Sequence, residues 1–315
     1  MRLVKGNELR TRVYVDGYNL YYGRLRKSVH KWLDLRLLAD QILANVPYAQ
    51  GGKRAAHRFV TPAVKYFTAS ALGAFAKSDD SIACQGYYHD ALVGHLGDQL
   101  KIIKGHYNAR PARAYKWDPN KAARDCDRID IWKLEEKGSD VALALHAYSD
   151  AIRNQVDQIV VVTNDSDFEP AMRMIREHTR AVIGLVAPIR PGTGSVSGKL
   201  EEHAHWIRRH ILDEEIAKSQ LPPMIRFRRD VVHKPLSWYP RPDLLVPIFE
   251  EAKRVRGSAG AARKWLNQPC AHLDGRIPIL MCEHEDTAQE LRNYMERYAQ
   301  EFGLARSPSD QPLTQ

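Results

Sequence analysis

Cysteine is scarce in this sequence. Four residues, Cys84, Cys126, Cys270 and Cys282, are scattered over 315 positions. Dispersed thiols exclude a disulfide scaffold and fit a reducing compartment, so a cytoplasmic protein is expected. Long apolar runs are missing too. No stretch approaches the ~18 residues a membrane-spanning helix needs. Met1 to Arg12 is polar and charged, with no apolar signal core, so no membrane partner is expected. No dinucleotide fingerprint follows a strand, no Ser-His-Asp order stands out and no internal repeat is visible. The glycine-rich run Gly192 to Lys199 fails phosphate-loop spacing, and Leu200 follows the lysine where a hydroxyl is required. It reads instead as a mobile loop that could cover a substrate, with Arg190 and Lys199 touching phosphates.

What is present is ordinary in amount and informative in arrangement. Apolar residues make up 44% and charged residues 27%, within the range of soluble globular chains. The length allows two domains at roughly 100–200 residues each. The net charge of +9 favours a polyanionic partner. Basic and aromatic residues interleave in Lys104 to Arg110 and Arg113 to Trp117. Arginines reach phosphates and aromatic faces stack on unpaired bases, which points to single-stranded RNA. The competing reading is a surface hairpin with amphipathic side chains.

Periodicity gives an α/β order. Residues 11–16, 64–69, 159–163 and 181–186 read as buried strands, and 101–107 and 112–117 as strands or a hairpin. Residues 35–46, 79–100, 141–154, 169–178 and 199–215 read as helices. Strands alternating with helices argue for a mainly parallel sheet. Residues 1–215 are expected to form this domain. Residues 216–242, rich in Pro and Arg, read as a linker, 243–305 as a small all-α domain, and 306–315 as a disordered tail.

Acidic residues stand at the expected strand and helix ends: Asp16 after Val13-Tyr14-Val15, Asp140 heading 141–154, and Asp165 and Asp167 after Ile159 to Thr163. In parallel sheets, ligands bind beyond the carboxyl ends of the strands. Carboxylates gathered there repel one another unless a cation intervenes. Hard oxygen donors suit Mg²⁺ or Mn²⁺, whose bound water can attack a phosphodiester. Each acid also has a plainer reading as a turn residue, helix cap or dipole partner.

The segment Val13-Tyr14-Val15-Asp16-Gly17-Tyr18-Asn19 resembles the first motif of NYN domains, a branch of the PIN-like nucleases. Lys137-Gly138-Ser139-Asp140-Val141 is similar to their second motif and Thr163-Asn164-Asp165-Ser166-Asp167-Phe168-Glu169-Pro170 to their third, over roughly residues 10–210. The resemblance implies a PIN-like α/β sandwich and a divalent-metal-dependent endoribonuclease leaving a 5′-phosphate. Asp16, Asp140, Asp165 and Asp167 would form its metal-binding catalytic pocket. Asn19 would hold the first turn or a substrate phosphate, and Thr163 and Ser166 would order the third turn through their hydroxyls. Asn164 stands where the family has Gly and is grouped with the substrate-binding residues. His146 stands where many relatives have a further Asp, and reads as a partly buried, satisfied histidine.

Further on, Trp265-Leu266 and Leu273-Asp274-Gly275-Arg276-Ile277-Pro278 resemble the toxin-binding domain of Xre/MbcA/ParS-type antitoxins. That resemblance implies self-association or a protein partner, with Trp265, Leu266, Leu273 and Pro278 in the core. The Cys270-x-His272 and Cys282-x-His284 pairs do not follow a common zinc spacing. Two alternatives remain beside the ribonuclease: an inactive RNA-binding or partner-binding module, and a phosphatase acting on a small substrate.

Overall fold

The computed structural model describes residues 8–26, 28–46, 49–50, 53–75 and 80–302. The tail expected at 306–315 lies outside them. The chain divides into two compact units, Met1–His233 and Lys234–Gln315.

The first unit starts with β1 (Glu8–Asp16), the one-turn helix α1 (Gly17–Leu20) and α2 (Leu35–Ala44). A two-residue pair, β2 (Ala49–Gln50) and β3 (Lys53–Arg54), precedes β4 (Ala56–Ala69) and α3 (Ser81–Leu96). The long strands β5 (Leu100–Tyr115) and β6 (Arg128–Lys137) then lead into α4 (Ser139–Ile152). Next come β7 (Gln158–Val162), α5 (Glu169–His178), β8 (Val182–Val186), α6 (Gly198–Glu201), β9 (Trp206–Arg208) and α7 (Asp213–Lys218). The central sheet runs β6-β5-β4-β1-β7-β8-β9, parallel except for the antiparallel β5–β6 pair. This is the mainly parallel α/β architecture that the sequence predicts.

The β-branched runs of β1 and β7 are buried because both faces of the sheet are covered. Successive side chains alternate between faces. Tyr14, Ile159, Val161, Ile183 and Leu185 enter a core with Leu143 and Ala147 of α4 and Met172 and Ile175 of α5. Val13, Val15, Val160, Val162 and Val186 meet Leu35, Leu38, Ala39, Ile42 and Leu43 of α2 around a small apolar void.

Three sequence expectations change. Residues 101–107 and 112–117, expected as strands or a hairpin, belong to the single strand β5, whose antiparallel partner is β6, because the chain turns only after Tyr115. The helix expected over 199–215 is α6, β9 and α7, because Trp206, Ile207 and Arg208 pair with Gly184, Leu185 and Val186. The 216–242 stretch expected as a linker begins inside α7 and continues as the hairpin β10 (Met224–Phe227) and β11 (Asp230–His233). Ile225 and Val232 of this hairpin are buried. It lies so close to α3 that a Cβ on Gly94 would come within 2.7 Å of the Arg226 carbonyl. The two prolines before it make the stretch look open, but alternate apolar residues give the hairpin one buried face.

The second unit is helical: α8 (Pro242–Arg256), α9 (Ala259–Leu266), α10 (Pro278–Met281) and α11 (Glu285–Glu301). Leu245, Ile248, Phe249, Leu266, Leu273, Ile279, Leu291 and Met295 form its core. Pro278 is buried and Trp265 packs partly buried against the core. Asp274 and Gly275 turn the chain with φ of 55° and 75°. Cys282 is buried, which pushes its thiol up to about 12.

Candidate active site

Parallel register places Val15 beside Val162, so Asp16 and Thr163 leave the sheet side by side. Asp16 caps α1 by accepting the Asn19 N–H at 2.9 Å. Its other oxygen accepts the Thr163 hydroxyl at 2.9 Å. The same hydroxyl oxygen accepts the Asp165 N–H at 3.1 Å. One buried threonine thus fixes the spacing between two acids 149 residues apart in sequence (16 to 165). Asp16 is 6% exposed, and its carboxyl is raised above its ordinary range, first by burial and also by the charge of Asp165. Its hydrogen bonds with Asn19 and Thr163 pull the other way.

Gly17 follows because nothing larger fits. A Cβ there would meet the Phe67 carbonyl at 2.6 Å and the Tyr66 ring at 2.8 Å. Asn19 reaches across to accept the Asn164 N–H at 3.0 Å. The Asn164 amide in turn donates to the Ser195 carbonyl at 3.2 Å and accepts the Ser197 N–H at 2.9 Å. The loop expected to be mobile is therefore tied to the third motif, with Val196 buried beneath it.

Asp140 comes from the other side. Strand β6 ends at Lys137, and Gly138 turns into α4 with φ of 94°. Glu136 stabilises the helix start by accepting the Ser139 N–H at 3.2 Å and its hydroxyl at 2.8 Å. Gly105 on β5 makes room, since a Cβ there would lie 2.3 Å from the Glu136 carboxylate and 2.6 Å from the Lys137 carbonyl. Asp140 is pushed up to about 6, first by desolvation and then by the negative charges of Asp16, Glu136 and Asp165. Asp16, Glu136 and Asp165 are thus the acids that bear on the charge of Asp140.

Glu136 was not singled out by sequence reasoning. It lies three residues before Ser139, the reverse of the capping-box order, so no local pattern marked it. Asp167 stands apart: it is exposed, its N–H donates to Asp165 at 3.0 Å, and it is not among the groups that most affect Asp16 or Asp140. Ser166 is half-buried in the same turn and, among the described residues, its hydroxyl makes no hydrogen bond, so the turn is ordered by the Thr163 hydroxyl and the Asp165 carboxylate instead. Arg190 is half-buried and donates to the Arg24 carbonyl at 3.4 Å, while Lys199 is exposed on α6. His146 lies 3.3 Å from Lys65 and packs on Phe67, the satisfied histidine that was expected.

Among the described residues, no three His, Cys, Asp or Glu side chains form a ready metal-ligand group. The donor set is all-oxygen and mutually repulsive. It fits a hydrated hard cation held directly by one or two carboxylates, the usual mode for Mg²⁺, rather than a closed protein cage. Beside the acids stands an aromatic cluster: Tyr18 stacks on Tyr22 at 6.3 Å and meets Tyr107 edge-on at 5.9 Å.

Comparison with known proteins identifies both parts of the chain. The NYN domain family matches residues 10–207, and the antitoxin Xre/MbcA/ParS C-terminal toxin-binding domain matches residues 251–300. The chain is 42% identical over 300 residues to 6-hydroxy-3-succinoylpyridine 3-monooxygenase HspA of Pseudomonas putida, covering 93% of this chain and 96% of that protein. A crystal structure of a Vibrio parahaemolyticus protein of unknown function is similar over 67% of this chain and 98% of its own. The two share 16% identity with a TM-score of 0.39. The motifs, the sheet order and the matched span together place the chain in the NYN family, a PIN-like α/β fold followed by an antitoxin-type helical domain.

Proposed function

We propose that the chain is a divalent-metal-dependent endoribonuclease that hydrolyses RNA phosphodiesters at the Asp16, Asp140 and Asp165 cluster. One observation carries this reading: the Thr163 hydroxyl joins Asp16 from the end of β1 to Asp165 from the turn after β7, and the charges of both push Asp140 at the head of α4 upward. Such a cluster is costly by itself and is relieved by a cation. Mg²⁺ or Mn²⁺, held by Asp16 and Asp165, would polarise the phosphate and acidify a bound water.

The chain's own residues supply the rest. Thr163 and Asn19 hold Asp16 in one orientation, with Asn164 fixing the adjoining loop. Asp140, the more exposed acid, accepts a proton from the attacking water. The water oxygen would bond to phosphorus as the phosphorus–3′-oxygen bond breaks, and the leaving 3′-oxygen would take a proton from solvent, giving a 5′-phosphate and a 3′-hydroxyl. Asp167 lies on the rim and orients solvent. Lys199, and Arg190 if it leaves the Arg24 carbonyl, meet substrate phosphates. The helical unit, over residues 243–305, binds a protein partner or a second copy. No described helix is long and apolar enough to cross a membrane.

A second reading is favoured by the HspA relative, whose name denotes oxygenation of a succinoylated hydroxypyridine. The ring of such a substrate would suit the Tyr18, Tyr22 and Tyr107 cluster. One experiment separates the two. Labelled single-stranded RNA is incubated with Mg²⁺, Mn²⁺ or chelator, for wild type and Asp165→Asn. In parallel, 6-hydroxy-3-succinoylpyridine is supplied with O₂ and a nicotinamide or flavin reductant. Metal-dependent RNA cleavage lost in Asp165→Asn supports the nuclease. O₂-dependent consumption of the pyridine without RNA cleavage supports the oxygenase. Salt-sensitive RNA binding without turnover of either substrate identifies an inactive binding module.

A further inference from the structure

Strand β5 pairs with β4 only as far as Gly105. Beyond it, His106 to Tyr115 and Arg128 to Lys137 pair only with each other, as a two-stranded ribbon. Opposed residues share a face and successive residues alternate. One face therefore carries Tyr107, Ala109, Pro111, Arg113 and Tyr115 against Glu136, Leu134, Trp132, Asp130 and Arg128. This is the face that meets the acidic site, because Tyr107 packs on Tyr18 and Glu136 holds Ser139.

Its large side chains are left in water: Trp132 is 65% exposed and Tyr115 44%, with Trp117 beyond them at 83%. Among the described residues, Trp132 meets the Phe75 ring in a T-shaped contact at 6.2 Å. The Arg128 guanidinium lies over the Tyr115 ring, 4.6 Å from its centroid. The acids of this face are engaged, Asp130 with Arg113 at 3.4 Å and Glu136 with Ser139. Residues 100–116 contain Lys101, Lys104, Arg110, Arg113 and Lys116 and no acid.

We propose that this ribbon face is the track on which single-stranded RNA lies as it enters the acidic site, its bases stacking on Tyr107, Trp132 and Tyr115 and its phosphates meeting Arg113 and Arg128. The inference rests on the ribonuclease reading and adds where the strand runs. Tyr107 to Tyr115 spans about 27 Å at ~3.4 Å per residue, which is about eight stacked nucleotides at the same rise. Unpaired bases offer π-faces to exposed rings, whereas a duplex hides them. Continuity with the acidic site through Tyr107 and Glu136 favours a strand entering that site over a second copy, which has no need of it.

The test measures binding without cleavage. Fluorescence anisotropy of a labelled single-stranded 12-mer RNA is followed with the Asp165→Asn protein, and with wild type in chelator in case that variant folds poorly. Trp132→Ala and Tyr115→Ala are each introduced, with the melting temperature as the fold control. Each is expected to weaken binding ~5- to 100-fold, the range for loss of one base–aromatic stack. A hairpin duplex is expected to bind at least about tenfold more weakly than the single strand. Unchanged affinity in both variants overturns the proposal, as does equal affinity for duplex. So does a Trp132→Ala protein that changes oligomeric state while binding RNA as before. If wild type cleaves no RNA yet both variants weaken binding, the nuclease reading falls and the track stands.

Discussion

Asp150 offers the sharpest test of how the site is held. One oxygen of its carboxylate accepts Arg12 at 2.6 Å, the Tyr14 hydroxyl at 2.6 Å and Lys65 at 2.6 Å. All four residues are at most 5% exposed. The network ties α4, which carries Asp140, to β1, which carries Asp16, and to β4. In Asp150→Asn, Arg12 keeps the Pro62 and Thr61 carbonyls, but the buried Lys65 loses its counter-charge. Breaking a buried pair from one side costs about 3–5 kcal/mol. For a unit of this size, that is a fall of roughly 6–20 °C in melting temperature. Burial alone would raise the Asp150 carboxyl, but hydrogen bonds from Lys65, Tyr14 and Arg12 outweigh it and hold it below the ordinary range. With a depressed folded value, its contribution is complete above the unfolded pKa near ~4 and is lost as pH falls through the folded value. Thermal unfolding followed by circular dichroism should show a constant gap between wild type and Asp150→Asn from about pH 5 upward. The gap should narrow below about pH 4. A gap under about 1 kcal/mol at pH 7, far short of the buried-pair cost, or one that widens on acidification, refutes this reasoning.

Asp140 should behave oppositely: its folded value is raised, so ionisation costs stability as pH climbs from ~4 towards 6, and Asp140→Asn should stabilise at pH 7 and not at pH 4. Because the residue is exposed and partly screened, the gain is set at about 1 kcal/mol, read from the melting temperature at the two pH values. Gly105→Ala should drive Glu136 and the α4 head apart, costing about 1–3 kcal/mol in urea unfolding and lowering RNA turnover with it. In the second unit, the Arg256 guanidinium lies over Trp265 at 4.8 Å and Tyr298 at 4.7 Å. Arg256→Ala should cost that unit about 1–2 kcal/mol, checked by Trp fluorescence during unfolding.

Runs that are buried on both faces wrote themselves plainly into the sequence. Val13 to Val15 and Ile159 to Val162 could hardly be anything but inner strands, and the acids closing them fell at the sheet's carboxyl end. The ribbon was legible only in part. Strand β6 alternates Ile129 and Ile131 with charged residues but buries neither face, so no core demanded a pattern strong enough to read. Strand β9 is three residues on the sheet edge, and Trp206 fits there only because Gly184 leaves space for its ring. Local pattern cannot show that fit, which depends on residues 22 apart (184 to 206). The role of Thr163 as a bridge between Asp16 and Asp165 is equally long-range. Glu136 was hidden because its bonds to Ser139 depend on the turn at Gly138, which reverses the usual capping order.

If Asp16, Asp140 and Asp165 act together on RNA with a divalent cation, one cleavage assay decides it. An end-labelled single-stranded RNA is incubated at fixed Mg²⁺ or Mn²⁺ with wild type and with Asp165→Asn purified alongside it. Only wild type should give 5′-phosphate products, abolished by chelator, while the variant keeps its fold and its RNA affinity. Equal cleavage by both proteins, or cleavage indifferent to chelator, would contradict it.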